Sequence, residues 1–189
     1  MNILILGPQG AGKGTQAKRI AAEYEVPHIA TGDLYRAERD AGTELGLQVG
    51  PLLDAGKLVP DEITIPLVRR VVEPTNGFVL DGYPRTIAQA AALDDMLEEI
   101  ERPLDIILLL ELDEDVCRER LLKRAELEGR ADDTPEAIAR RLATYHEQTE
   151  PVIDHYLATG KLVKVHAERS IDEVWAEIQD ALEQVQARA

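Results

Sequence analysis

The 189-residue chain reads as a doubly wound α/β domain: a five-stranded parallel sheet with helices on both faces. Three observations lead there. Short, nearly all-apolar runs recur along the chain, helical segments separate them, and a glycine-rich loop joins the first run to the first helix. Strands apolar on both sides of the pleat belong in a parallel sheet covered by helices.

The elements follow in order. Asn2–Leu6 (NILIL) is the first strand, and the glycines behind it lead into a helix from about Lys13 to Tyr24. Strand-like runs return at residues 27–30, 77–80 (GFVL), 105–110 (DIILLL) and 162–165 (LVKV). Helices are expected over residues 86–101, 113–128, 134–157 and 170–186, with Thr134-Pro135 and Ser170 as start signals. Two stretches break the alternation. Residues 31–72 have helical patterning without a strand and are interrupted at Gly42, Gly46, Gly50-Pro51, Gly56 and Pro60, which predicts a small helical insertion. Residues 126–133 (ELEGRADD) form a short polar loop between charged helices, a candidate flap. The expected organisation is one domain with core residues 1–29, 60–124 and 134–189, an insertion at 30–59 and a lid at 125–133.

Composition narrows the partners. A net charge of -15 argues against DNA, RNA or anionic lipid, all of which reward a basic surface. Anionic substrates remain compatible if the arginines gather in a cleft while acids cover the outside. No apolar run approaches the ~18 residues of a membrane span. The first strand enters the glycine loop with no leader-like segment before it, which predicts a cytoplasmic protein. The single cysteine, Cys117, cannot form an internal disulfide, excludes a four-cysteine zinc site and reads as apolar filler on a helix.

The segment Gly7-Pro8-Gln9-Gly10-Ala11-Gly12-Lys13-Gly14-Thr15 fits a P-loop through its lysine. Its glycines let successive N–H groups point at phosphate oxygens, and the following helix presents its positive end to the same anion. Lys13 supplies a full charge to the β- and γ-phosphates. The hydroxyl usual after the lysine is displaced by Gly14 to Thr15, roughly 100° further around the helix. Thr15 is therefore expected on the α- or β-phosphate instead of directly on magnesium. Asp81, at the end of the run Val79-Leu80, is the expected magnesium-organising acid, acting through water.

Taken together the residues resemble the adenylate kinases. The matching pieces are Gly7 to Thr15 with Gln16, Ala30-Thr31-Gly32-Asp33-Leu34 with Arg36, and Gly56-Lys57-Leu58-Val59. Further along come Asp81-Gly82-Tyr83-Pro84-Arg85 with Gln89, Arg120 and Arg124, and Gly129-Arg130 through Asp132-Asp133 to Arg140-Arg141. The short lid resembles the members without zinc. One position departs from the commonest pattern, which has proline where this chain has Gln9.

The resemblance implies reversible, magnesium-dependent phosphoryl transfer from ATP to AMP, giving two ADP, by a cytoplasmic monomer that maintains adenine nucleotide balance. It implies a donor site of Gly10, Ala11, Gly12, Lys13, Gly14 and Thr15, with Arg120 and the loop around Arg169 over the adenine. Arg124 and Arg130 would clasp the donor and the transferred group. The acceptor site would comprise Thr31, Arg36, Lys57, Leu58, Val59, Gly82, Tyr83, Pro84, Arg85, Gln89, Arg130 and Arg141, with Arg36, Arg85 and Arg141 on its phosphate. Thr31 is expected to cap the first insertion helix and reach the base, and Gln89 to pair with adenine's edge. Asp132 and Asp133 either pair with these arginines on closure or support the local helix. Arg140 is expected on a solvated face, and His28, His146, His155 and His166 are expected to be structural. A kinase for uridine or cytidine monophosphate shares most of this framework. A GTPase-type binding switch would need a late Asn-Lys-x-Asp motif, and the chain has only Asn2 and Asn76.

Overall fold

A computed structural model describes residues 1–128 and 133–187. Five strands, β1 (Asn2–Leu6), β2 (His28–Ala30), β3 (Phe78–Asp81), β4 (Ile106–Glu111) and β5 (Leu162–His166), form one sheet in the order β2-β3-β1-β4-β5. Every pairing is parallel. The helices are α1 (Lys13–Glu23), α2 (Thr31–Asp40), α3 (Glu44–Asp54), α4 (Asp61–Val72) and α5 (Ile87–Glu99). They continue as α6 (Glu114–Glu128), α7 (Pro135–Thr144), α8 (Glu150–Leu157) and α9 (Ile171–Gln186).

Because side chains alternate across a strand, each strand feeds two cores. Ile3 and Ile5 of β1 pack with Ile106, Leu108 and Leu110 of β4 under α1 and α9, through Ala17, Ile20, Val174, Ile178 and Leu182. Leu4 and Leu6 face the other way with Leu80, Ile107 and Leu109, under α4, α5 and α8, through Val68, Leu93, Leu97, Val152 and Tyr156. The apolar runs are continuous because both faces are covered. The insertion has its own small core of Tyr35, Val49, Leu53 and Val59, joined by Leu67 of α4. Among the described residues no helix is long and apolar enough to cross a membrane.

Three expectations change. The single helix expected over 134–157 is α7, a π turn at Tyr145–Thr149 and α8. Pro151 lies in the first turn of α8, where its ring denies the chain a regular i→i-4 bond, and the wider turn lies directly before it. Residues 126–128, which the sequence offers both to the helix over 113–128 and to the loop over 126–133, belong to the helix, α6. Thr31 does not cap α2: its N-cap is Ala30, and the Thr31 hydroxyl donates to Gly82 O at 2.8 Å. The expected caps Thr134 and Ser170 are in place, Ser170 within a reciprocal capping box with Glu173.

Candidate active site

The P-loop lies at the C-terminal end of β1, the central strand, where ligands bind in open parallel sheets. Two glycines are forced by close packing. A Cβ on Gly7 would lie 2.5 Å from Leu110 O, and one on Gly10 2.7 Å from Cys117 O, both at positive φ. The loop is thus pressed onto β4 and α6. The N-cap of α1, Gly12, makes no side-chain capping bond, and no acid stands in the first turn, so the helix's first N–H groups are left for an anion.

Lys13 is partly exposed along its stem while its ammonium is enclosed. It donates to Gly7 O at 2.7 Å and Pro8 O at 2.8 Å. Burial lowers its pKa to about 8, against an opposing pull from Asp81. Burial pushes the Asp81 carboxyl up, but His28, Lys13 and Arg85 together outweigh that and hold it below the ordinary carboxylate range. His28 Nε2 is 3.7 Å from Asp81 Oδ2, so it acts at a distance rather than through a short bond. Burial likewise lowers the pKa of Arg85 and pushes the Cys117 thiol up to about 11, which leaves Cys117 an unreactive core residue.

A cleft of about 360 Å³ opens above these groups. Its wall takes Gly10, Gly12, Lys13, Gly14 and Thr15 from the P-loop and Asp81, Gly82, Arg85 and Gln89 from the β3–α5 region. Thr31, Arg36, Lys57, Leu58 and Val59 come from the insertion, and Arg120, Arg124 and Arg141 from α6 and α7. Arg36 also holds Asp33 at 2.5 Å, one turn away. Asp133 is buried and shared: its Oδ2 accepts from Arg124 Nε at 2.8 Å and lies 2.6 Å from Arg124 Nη2 in the same ion pair, and its Oδ1 accepts from Arg141 Nη1 at 2.5 Å. Arg141 reaches on to Leu53 O at 3.2 Å, and Arg140, expected on a solvated face, donates to Ala55 O at 2.7 Å. Both bonds tie α7 to the end of α3.

Other sites named from the sequence lie apart from the cleft wall. Ala11 and Tyr83 are core residues, and Pro84 is buried beside Tyr83. Arg169 is ion-paired with Glu177 of α9, while Arg120 holds the neighbouring loop through Ala167 O at 2.8 Å. Arg130 and Asp132 fall outside the described residues. Gln89 is engaged at both ends: its Oε1 accepts from Arg85 N at 2.8 Å and its Nε2 donates to Asp61 at 2.6 Å. The sequence reading missed His28, Tyr145 and Thr149 as lining residues. His28 stands two residues before Ala30-Thr31 and could have been found by strand periodicity; the other two depend on the π turn, whose one local signal is Pro151.

The donor set also fits a magnesium ion carried in with a nucleotide. Among the described residues no three His, Cys, Asp or Glu side chains gather to cage a cation. One ionised carboxylate beside the phosphate loop suits a largely hydrated magnesium held mainly by phosphate oxygens.

A parallel sheet with a P-loop on its central strand, facing arginines from three other segments, defines a nucleoside monophosphate kinase. The chain belongs to the adenylate kinase family, whose model, described as adenylate kinase, matches residues 5–161. It is 49% identical over 186 residues to an adenylate kinase of Bifidobacterium longum, covering 97% of this chain and 100% of that one. It is 46% identical to one of Stenotrophomonas maltophilia, covering 96% and 99%, and 46% identical to one of a Synechococcus strain, covering 96% and 95%.

Proposed function

We propose that this chain transfers a phosphoryl group reversibly from ATP to AMP, giving two ADP and balancing the adenine nucleotides. The observation that carries this reading is the convergence of Lys13, Arg85, Arg124 and Arg141 on one cleft with Asp81 beside the P-loop. Transfer between two nucleotides asks the protein for in-line positioning, neutralisation of charge on the moving group, and exclusion of water. The cleft offers the first two. The P-loop amides and Lys13 hold the donor's phosphates, and Arg36, Arg85 and Arg141 hold the acceptor's phosphate with two-pronged guanidinium contacts. Arg124 and Arg130 clasp the transferred group, and Arg120 with the loop at Arg169 covers the donor's base. Magnesium, when bound with ATP, adds charge neutralisation at the β- and γ-phosphates, held through water by Asp81.

Residues 30–59 close over the monophosphate and residues 125–133 over the triphosphate, which keeps water from the γ-phosphate until both substrates are in place. Thr31 and Gln89 read the acceptor base by exchanging their present partners, Gly82 O and Asp61, for adenine's edge. The cleft is built within one chain, which supports a monomer, and the family reading supports a cytoplasmic enzyme.

The test is a coupled assay with magnesium and ATP against AMP, UMP and CMP. ADP forms from AMP, with kcat/KM exceeding that for the pyrimidines by roughly tenfold or more. Lys13→Met loses orders of magnitude in turnover with its fold intact. No ADP above an enzyme-free control overturns the reading, and a preference for UMP or CMP moves the acceptor assignment to the pyrimidine kinases.

A further inference from the structure

The π turn at Tyr145–Thr149 has no place in the roles above, yet it ends beside the cleft. In an uninterrupted α-helix, residues 138, 142, 145, 149, 152 and 156 would share one face. Here the stripe is divided: Ile138 and Leu142 pack on Cys117 and Leu121 of α6, whereas Val152 and Tyr156 enter the core beneath the sheet. The wider turn re-aims the chain between those two faces. Single π turns inside helices recur at functional sites.

At that junction Thr149 is 8% exposed, and its hydroxyl donates to Arg85 O at 3.0 Å. Arg85 is held at two more points: its N–H donates to Gln89 Oε1 at 2.8 Å, and its Nε donates to Gly82 O at 2.7 Å, while burial encloses its charged end. Among the described residues the Thr149 bond is the one hydrogen bond to Arg85 from outside the β3–α5 segment. It ties the carbonyl of a loop residue to a packed helix and so braces the backbone from which the guanidinium projects. A loop carrying a catalytic arginine loses rate steeply when it is misplaced by even about an ångström.

We infer that Thr149, delivered by the π turn, is a positioning residue for Arg85 and through it sets how the acceptor's phosphate is held. This rests on the reading that Arg85 binds that phosphate. Replacing the hydroxyl with a methyl of the same shape leaves the Arg85 carbonyl without its donor and loosens the backbone at Arg85, while Gly82 and Gln89 keep their own ties. The effect falls on the acceptor side, because the Thr149 hydroxyl bonds to Arg85 O, while Lys13 is held by the carbonyls of Gly7 and Pro8.

The experiment compares Thr149→Val, Thr149→Ala and Thr149→Ser, alone and combined with Arg85→Lys, in initial-rate assays with ATP and AMP, alongside melting temperatures. Thr149→Val and Thr149→Ala lower kcat/KM for AMP by about tenfold and leave KM for ATP within about twofold. Thr149→Ser, which keeps the hydroxyl, stays within about threefold of the parent. In the Arg85→Lys background the Thr149 changes add little, since they act through a side chain already altered. Undiminished kcat/KM for AMP in Thr149→Val or Thr149→Ala overturns the inference. So does equal loss in all three variants tracking melting temperature, or full additivity with Arg85→Lys. An Arg85→Lys enzyme with undiminished kcat/KM for AMP refutes the role of Arg85 itself, and the inference with it.

Discussion

Asp133 offers the sharpest test of how the cleft is organised before substrates arrive. Its side chain has no exposed surface, receives one hydrogen bond from each of two guanidinium groups, those of Arg124 and Arg141, and makes a further ion-pair contact with Arg124 Nη2. Substitution by asparagine keeps the shape and removes the charge, so two cations then face a neutral amide. Breaking a buried ion pair from one side costs roughly 3–5 kcal/mol. The two arginines retain 28% and 13% exposure, so water offsets part of that loss and the expected cost is about 2–3 kcal/mol. For a chain of this length, 1 kcal/mol moves the melting temperature by roughly 2–4 °C, so Asp133→Asn melts about 4–12 °C below the parent. A mimic joining two adenosines through a polyphosphate brings its own anions to the same arginines and stabilises whichever protein it binds. It raises the melting temperature of the variant by more than that of the parent, because in the parent the phosphates displace a carboxylate already in place. Thermal unfolding with and without the mimic measures both shifts. Equal melting temperatures for the two free proteins, or equal shifts with the mimic, would show that Asp133 does not occupy the positions the phosphates take.

Three further outcomes follow from the same geometry. Lys13 titrates near 8 when folded against 10.5 in its ordinary state, so between those values the unfolded chain holds more protons than the folded one. Stability on this account therefore rises with pH across that window, by on the order of 3 kcal/mol, and Lys13→Met loses the rise in denaturant titrations at pH 8 and 10. Gln9 carries a buried Oε1 for which no partner is found among the described residues, so Gln9→Pro removes an unmet acceptor and raises the melting temperature by about 2–6 °C. A lowered melting temperature would show that the carboxamide is satisfied. Gln89→Ala narrows the preference for AMP over UMP and CMP in kcat/KM, and undiminished selectivity removes Gln89 from base reading.

The strands and the P-loop were legible because their signals are local. Five apolar runs and a glycine-rich loop announce a parallel sheet and an anion cradle without any knowledge of distant contacts. The arginines that line the cleft were found through motif resemblance, since charge alone does not distinguish Arg141, which meets Asp133, from Arg140, which meets Ala55 O. The π turn escaped because the apolar spacing from Ile138 to Tyr156 is that of one unbroken helix; Pro151 and packing against two different partners divide it. Residues 126–128 were expected both at the end of a helix and at the start of the loop, because Glu-Leu-Glu suits a solvated helix end and a polar loop equally, and continuity with α6 decides for the helix. Gln89 illustrates a third limit, for its two present partners, Arg85 N and Asp61, both precede it in sequence, the second 28 residues away, and the pairing with Asp61 is not implied by the motif.

The sheet order also bears on how the protein is made. Of the five strands of the sheet, β1 leaves the ribosome before the others, and it is the one that ends in the middle, flanked by β3 and β4. Its two neighbours are completed only at residues 81 and 111, so the nascent chain carries an apolar strand with unpaired edges through much of its synthesis. The phosphate cradle waits longer still, because Gly7 is shaped against Leu110 and Gly10 against Cys117. At translation rates of about 5–20 residues per second, the roughly hundred residues between Thr15 and Cys117 take some 5–20 s. A product truncated before β4 would contain every residue of the P-loop and have no loop to bind with.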